Sequence, residues 1–413
     1  MVAPKLRFKE FDANWSLSSL GKMTTYFKGY AFKSESYKDS GIRVIRVSDL
    51  GRESIKTDND SIYIEANNAS AYENWIIKKD DIIITTVGSK PHLVDSAVGR
   101  PIYVKNNNEG LLNQNLLVLR PIDETVDSYF IYAQLLDKKY LTHIELIQRG
   151  NANQSNITVK DLQDFETYIT SKKEQTKIAS FLSAVDEKIS QLTQKHELLR
   201  QYKQGMMQKL FSQQIRFKSD DGSEFGEWEE KALKTIARIY DGTHQTPNYV
   251  EDGVPFYSVE HVTANNFFKT KFIAEDVFLN ELKRVQLEKN DILLTRIGDI
   301  GTSKLIDWDV RASFYVSLAL IKVDKNHNSS FVNQYIKSVF FQRELHERTI
   351  HVAFPKKINL GEIGLCLIRL PCPEEQTKIA NFLSAIDQKI EVVAQQIEQA
   401  KTWKKGLLQQ MFV

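Results

Sequence analysis

Glu174-Gln-Thr-Lys-Ile-Ala-Ser-Phe-Leu-Ser-Ala-Val-Asp-Glu-Lys-Ile189 returns as Glu375-Gln-Thr-Lys-Ile-Ala-Asn-Phe-Leu-Ser-Ala-Ile-Asp-Gln-Lys-Ile390, at an offset of 201 and with 13 of 16 positions identical. The offset continues downstream, where Tyr202, Lys203, Gly205, Gln208 and Phe211 fall on Trp403, Lys404, Gly406, Gln409 and Phe412. An internal repeat of this length sets the architecture before any local feature does. Both copies carry the period of a coiled-coil helix. In the first, Ile178, Val185, Leu192, Leu199 and Met206 recur every seven residues, and Leu182, Ile189, His196, Lys203 and Leu210 follow each by four. In the second, the two series are Ile379, Ile386, Val393, Ala400, Leu407 and Leu383, Ile390, Ile397, Lys404, Met411.

Start signals agree with the period. Ser171 with Glu174 fits a capping box, and Pro373 stands where a first helical residue would. Each helix is expected to run about 39 residues, over 174–212 and 375–413, or roughly 58 Å. A half-apolar stripe needs a partner, and the nearest for each helix is the other. The expected interface is Ile178, Leu182, Val185, Ile189, Leu192 and Leu199 against Ile379, Leu383, Ile386, Ile390, Val393 and Ile397. The segment 213–374 starts where one helix ends and finishes where the next begins. Domain termini usually lie close together, so the pair is expected to be antiparallel with pseudo-two-fold symmetry.

Outside the helices the copies match only in short runs: Trp15 with Trp228, Gly41 with Gly253, Asp81 with Asp291, Gly88 with Gly298, and Ile157 with Ile358. β-branched runs (Val44–Val47, Ile82–Thr86, Ile292–Thr295) mix with one helix each, near Ser128–Leu136 and Phe331–Glu347. The fold class is therefore α+β, with one kind of globular segment used twice, over 1–173 and 213–374. The helices kept their residues while the globular segments diverged. Either the helices do one shared job while the globular parts recognise different things, or loops simply drift faster.

Composition is that of an ordinary soluble protein, 42% hydrophobic and 26% charged, with a net charge of only +2. Any nucleic-acid footprint must then be local. Cys366 and Cys372 give neither a disulfide framework nor a ligand cluster and read as buried thiols. Met1–Glu10 lacks the apolar core of a signal peptide and no run reaches a membrane span, which reads as a cytoplasmic location without a membrane partner.

Catalytic motifs are missing: no G-x-x-x-x-G-K-[ST] loop, G-x-S-x-G elbow, H-E-x-x-H or paired Cys/His set occurs. Gly298-Asp-Ile-Gly301 could clamp a backbone but reads more simply as a tight turn. Polar loops are present instead. Arg149-Gly-Asn-Ala-Asn-Gln-Ser-Asn156 carries one guanidinium and four amides, and Asp241-Gly-Thr-His-Gln-Thr-Pro247 and Phe354-Pro-Lys-Lys357 are their counterparts. Asn and Gln pair with adenine edges, and Arg with guanine or phosphate; a solvated loop has the same composition.

Two sets of motifs resemble a known family. The run Pro371-x-Pro-Glu-Glu-Gln-Thr-Lys-Ile-Ala-x-Phe-Leu-Ser-Ala-x-Asp-x-Lys-Ile390 looks like the helix signature of type I restriction–modification specificity subunits, whose layout of globular segment, helix, globular segment, helix covers this whole chain. Gly242–Pro247 with Gly253-Val-Pro-Phe256, and Gly29-Tyr-Ala-Phe-Lys-Ser34 with Gly41 and Ile45-Arg46, are similar to two classes of their target recognition domains. The first copy departs at Ile169–Gln175, which lacks the paired prolines.

The resemblance implies a non-catalytic subunit that binds a bipartite, asymmetric site in double-stranded DNA, with the helices fixing the gap. It implies two methyltransferase subunits using S-adenosylmethionine, two restriction subunits using ATP and Mg, and no cofactor on this chain. Base-reading candidates are then Asn151, Asn153, Gln154 and Asn156, with Thr243, His244 and Thr246; phosphate candidates are Lys33, Arg149, Arg296, Lys356 and Lys357. Lys203 and Lys404 either snorkel at fraying helix ends or, with Gly205 and Gly406, mark where partners dock. A coiled-coil tether with protein-binding globular segments is the other class of reading, and a self-sufficient modification enzyme a third.

Overall fold

The computed structural model describes residues 3–93, 97–150 and 154–412. Contacts divide the chain into two compact units, one of Met1–Thr193 with Gln395–Val413 and one of Gln194–Ala394. Each unit therefore holds one globular segment, the start of one long helix and the end of the other.

In the first unit a four-stranded antiparallel sheet runs in the order Thr24–Lys28, Leu116–Pro121, Ile82–Thr85, Pro101–Tyr103. The second unit repeats it with Ala237–Asp241, Leu318–Val323, Ile292–Ile297, Asp299–Leu305. The central strands run apolar without alternation over Ile82–Ile84, Leu116–Leu119, Ile292–Leu294 and Leu318–Ile321, because both faces of the sheet are covered. Ile82 and Ile84 pack with the helices while Ile83 joins a core on the other face, and Ile292, Leu294 and Leu293 divide in the same way. A smaller sheet in each unit contains one parallel pair, Ile42–Ile45 with Leu111–Leu112 and Val254–Tyr257 with Ser313–Phe314.

The expected helix near Ser128 spans Ser128–Gln134 and is followed by Lys138–Ile147, which the sequence reading missed. The expected Phe331–Glu347 helix is two, Ser329–Ile336 and Val339–Glu347, because Ser338 leaves the first and caps the second through Phe341 N at 3.4 Å. Gly298, at φ +83°, is the turn between Ile292–Ile297 and Asp299–Leu305. Cys366 is buried, which pushes its thiol up to about 12. Cys372 is exposed, contrary to expectation, because it sits just outside the helix that Pro373 opens. Among the described residues no helix is long and apolar enough to cross a membrane.

The long helices span Lys172–Phe211 and Pro373–Met411. Within the first unit the start of one lies against the end of the other: Phe181 meets Trp403 edge-on at 6.0 Å, and Asp186 holds Lys404 Nζ at 2.5 Å. Within the second unit Lys203 Nζ donates to both oxygens of Asp387, at 2.7 and 2.8 Å. The two matched lysines therefore do not snorkel; each pairs with the aspartate of the opposite copy of the repeat, and the helices are antiparallel.

Of the expected interface residues, Ile178, Leu182, Val185, Ile189, Leu192, Ile379, Leu383, Ile386, Val393 and Ile397 are buried, and Leu199 and Ile390 are half-buried. The stripe does more than join helix to helix. Ile178, Val185, Leu407 and Met411 share a core with Trp15 and Phe130, so the globular segment takes part of the apolar face. Side chains at Gly205 and Gly406 would meet nothing, and packing does not account for these glycines.

The Lys203–Asp387 pair is expected to contribute to stability. A double-mutant cycle with Lys203→Met and Asp387→Asn is expected to return a coupling of about 1–2 kcal/mol, held down by the partial exposure of Asp387. Urea unfolding measures it, and a coupling near zero means the pair is only a surface contact.

Candidate nucleic-acid interface

Each long helix starts in a buried knot. The carboxylate of Glu174 accepts from Arg7 Nε at 2.7 Å and Nη2 at 2.8 Å, Trp15 Nε1 at 3.2 Å and Thr170 Oγ1 at 2.5 Å. Glu375 accepts from Arg216 Nε at 3.1 Å and Nη2 at 2.7 Å, and from Trp228 Nε1 at 3.1 Å. Burial alone would raise the Glu174 carboxyl; the bonds from Arg7, Thr170 and Trp15 together outweigh it and hold the group below the ordinary carboxylate value.

The expected capping box is thus only half made. Ser171 Oγ accepts from Glu174 N at 3.4 Å, but the carboxylate turns to Arg7 and Trp15. The next residue ties the helix to the globular segment. Gln175 Oε1 accepts from Asp127 N and Gln376 Oε1 from Asn328 N, both at 2.9 Å, and Asp127 and Asn328 are themselves N-caps of Ser128–Gln134 and Ser329–Ile336. The repeated Glu-Gln is a joint between helix and globular segment. Its arginine partners escaped the sequence reading, although Leu6-Arg7-Phe8-Lys9 and Ile215-Arg216-Phe217-Lys218 carried the signal.

At the opposite end of the central strand, the polar loops of the second unit converge. Thr243 N donates to Phe314 O and Val316 N to Thr243 O, each at 3.0 Å, which lays the Gly242–Pro247 loop on the 314–316 segment. Gly242 permits this approach, since a Cβ there would lie 2.1 Å from Phe314 O. A short loop closed by isolated antiparallel bridges sits beside it, with Ile350 N on Lys357 O at 2.8 Å, Gly298 N on Lys356 O at 2.8 Å and Ile358 N on Arg296 O at 3.0 Å.

The first unit builds the same arrangement from other residues. Tyr30 N donates to Leu112 O at 2.9 Å, Gln114 N to Tyr30 O at 2.9 Å, and Ile157 N to Thr86 O at 3.0 Å. Its ribbon pairs Arg149 with Asn156 and Ser155 with Gly88. Gly29 approaches Asn113 O as Gly242 approaches Phe314 O.

The candidates fare unequally. Gln154, Asn156, His244, Thr246, Lys33, Lys356 and Lys357 are exposed at this edge. His244 Nε2 bonds Asp241 Oδ2 at 2.6 Å, Thr246 Oγ1 meets the Tyr315 hydroxyl at 3.3 Å, and Arg149 pairs with Asp161 at 3.0 Å. Asn151 and Asn153 lie outside the described residues. Thr243 is buried, its hydroxyl turned to Gln245 O at 3.3 Å, so it shapes the loop instead of facing outward. Arg296 is also buried; its Nη1 donates to Val316 O at 2.9 Å and its Nε to Ile358 O at 3.2 Å. Those bonds join the 350–358 loop to the segment that carries Val316 and, through it, Thr243.

A duplicated α+β scaffold with one conserved helix joint and two differently furnished polar edges defines a recognition protein built from two related readers. Residues 13–201 and 226–402 match the family model described as type I restriction modification DNA specificity domain, and the chain belongs to that family as a specificity subunit. It is 26% identical over 354 residues to the type I restriction enzyme MjaVIII specificity subunit of Methanocaldococcus jannaschii, covering 81% of this chain and 78% of that one. The crystal structure of the S subunit of the type I restriction–modification system from M. genitalium superposes with a TM-score of 0.68 at 20% identity, covering 100% of this chain and 99% of that one. A chain from a structural study of complex assembly and conformational transition of the type I R-M system gives a TM-score of 0.52 at 15% identity, covering 95% and 96%.

Proposed function

We propose that this subunit reads a bipartite, asymmetric duplex site, one half per unit, with the long helices setting the gap. One observation carries the reading. Each unit brings a glycine-led loop and a bridge-closed loop to the corresponding end of its own sheet, yet the two units fill them with different side chains. Gln154, Asn156, His244 and Thr246, with Asn151 and Asn153, are then the base-reading set; Lys33, Arg149, Lys356 and Lys357 hold phosphates. The chemistry falls to partners. Two methyltransferase subunits would supply S-adenosylmethionine and pay the few kcal/mol of flipping an adenine out of the stack, and two restriction subunits would bring ATP and Mg. The domain plan 1–173, 174–212, 213–374 and 375–413 assigns reading to the first and third segments and spacing to the other two.

Selecting duplexes from a random pool with the assembled complex tests this directly. Gln154→Ala is expected to relax one half-site by about 1–3 kcal/mol per lost bidentate contact, and His244→Ala the other. A single substitution that relaxes both halves, or a complex that selects no sequence, refutes the two-reader arrangement.

A further inference from the structure

We propose that Val352 and Phe354 form an apolar tip that reads a thymine methyl group in the half-site bound by the second unit; the proposal rests on the DNA-reading function above. Both side chains stand almost wholly in solvent, at 96% and 104% exposure. Their place makes this exposure meaningful. They sit at the end of the loop closed by Ile350 and Lys357, which is fastened to the sheet edge through Arg296 and Gly298. Exposed Lys356 and Lys357 follow directly, and cations beside the tip select a polyanion as what covers it.

The 350–357 loop is closed by a single antiparallel bridge between Ile350 and Lys357; the major groove admits elements as wide as an α-helix or a two-stranded ribbon, and the one apolar group that base edges present there is the C5-methyl of thymine. The first unit supports this choice over a protein partner. Its described ribbon residues, Arg149–Gly150 and Gln154–Asn156, present the amides of Gln154 and Asn156 and no apolar side chain. A partner docking on both units alike would meet like surfaces; readers of different half-sites would not present them.

The test uses the full chain assembled with its methyltransferase subunits and its selected site. Each thymine of the second half is replaced singly by uracil, which removes only the methyl. At one or two positions the wild type is expected to lose about fourfold in affinity per methyl. Phe354→Ser and Val352→Ser, at positions that touch no core, are expected to bind the thymine and uracil duplexes equally there, with first-half discrimination unchanged. Three results overturn the proposal: a second half without thymine, no uracil-sensitive position, or variants that keep the wild-type sensitivity. Unstacking of a 2-aminopurine probe without uracil sensitivity also overturns it, and makes the tip a wedge between base steps. A complex that selects no sequence overturns the underlying function as well.

Discussion

Glu375→Ala is expected to destabilise the second unit by about 3–5 kcal/mol, the cost of removing one partner from a buried ion pair. Glu375 has no side-chain exposure and Arg216 only 18%, so the guanidinium left behind has little water to turn to. Trp228 Nε1 loses its acceptor in the same step. Glu375→Gln keeps an acceptor for the indole and one for the guanidinium, and is expected to recover part of the loss. Arg216→Met with Glu375→Leu, which removes both charges, is expected to cost less than Glu375→Ala alone, because no uncompensated charge stays buried. Urea unfolding of wild type and the three variants measures this, and equal losses in all three variants mean that the knot contributes packing but no electrostatics.

The matching knot in the first unit adds a pH dependence. The folded carboxyl of Glu174 titrates below its ordinary value of 4.5, so its contribution is fully present above that pH and is lost as pH falls through the lower folded value. Glu174→Gln is expected to flatten this acid limb while leaving the pH 6–8 region parallel to wild type. An unchanged slope below the ordinary carboxylate range contradicts the assignment.

The long helices were legible because two signals coincided, a 16-residue duplication and a heptad stripe. Their pairing partners were less so. Lys203 and Lys404 stood out as charges in an apolar series, yet only the folded register shows each facing the aspartate of the other copy. Arg7 and Arg216 were missed because Arg7 precedes Trp15 by eight residues and Arg216 precedes Trp228 by twelve, so no fixed offset aligns both. The burial of Arg296 was not legible for another reason. Sequence does not separate a buried cation from an exposed one by type, and the clue lay in Ile292-Leu-Leu-Thr295, a fully buried strand that simply continues through it. The recognition loops were found by composition, but their convergence depends on backbone bonds from Thr243, Val316 and Ile358 that no pattern of side chains encodes.

Arg296→Met is expected to lower discrimination at the second half-site by about tenfold to hundredfold, the scale of one or more misplaced base contacts, with little change in global stability. The argument sets two terms against each other. Losing the guanidinium leaves Val316 O and Ile358 O without their donors, at about 1–3 kcal/mol for each one left dry. Removing the charge relieves a burial cost large enough to lower the guanidinium pKa below its ordinary value. The terms largely offset in unfolding, but not in position. The guanidinium joins the base of the 350–357 loop to the segment that supports Thr243, and methionine fills its space without tying the two together. Arg296→Lys, with a single ammonium in place of the fork, is expected to fall between. Salt dependence separates this role from a phosphate contact. A phosphate-binding arginine, when removed, weakens all sequences alike and reduces the salt slope by about one. A clamp leaves the slope and first-half discrimination intact while the second half relaxes. Binding titrations of the variant complex on matched and mismatched duplexes at several salt concentrations decide it, and a reduced slope with unchanged discrimination shows that Arg296 meets the backbone of DNA after all.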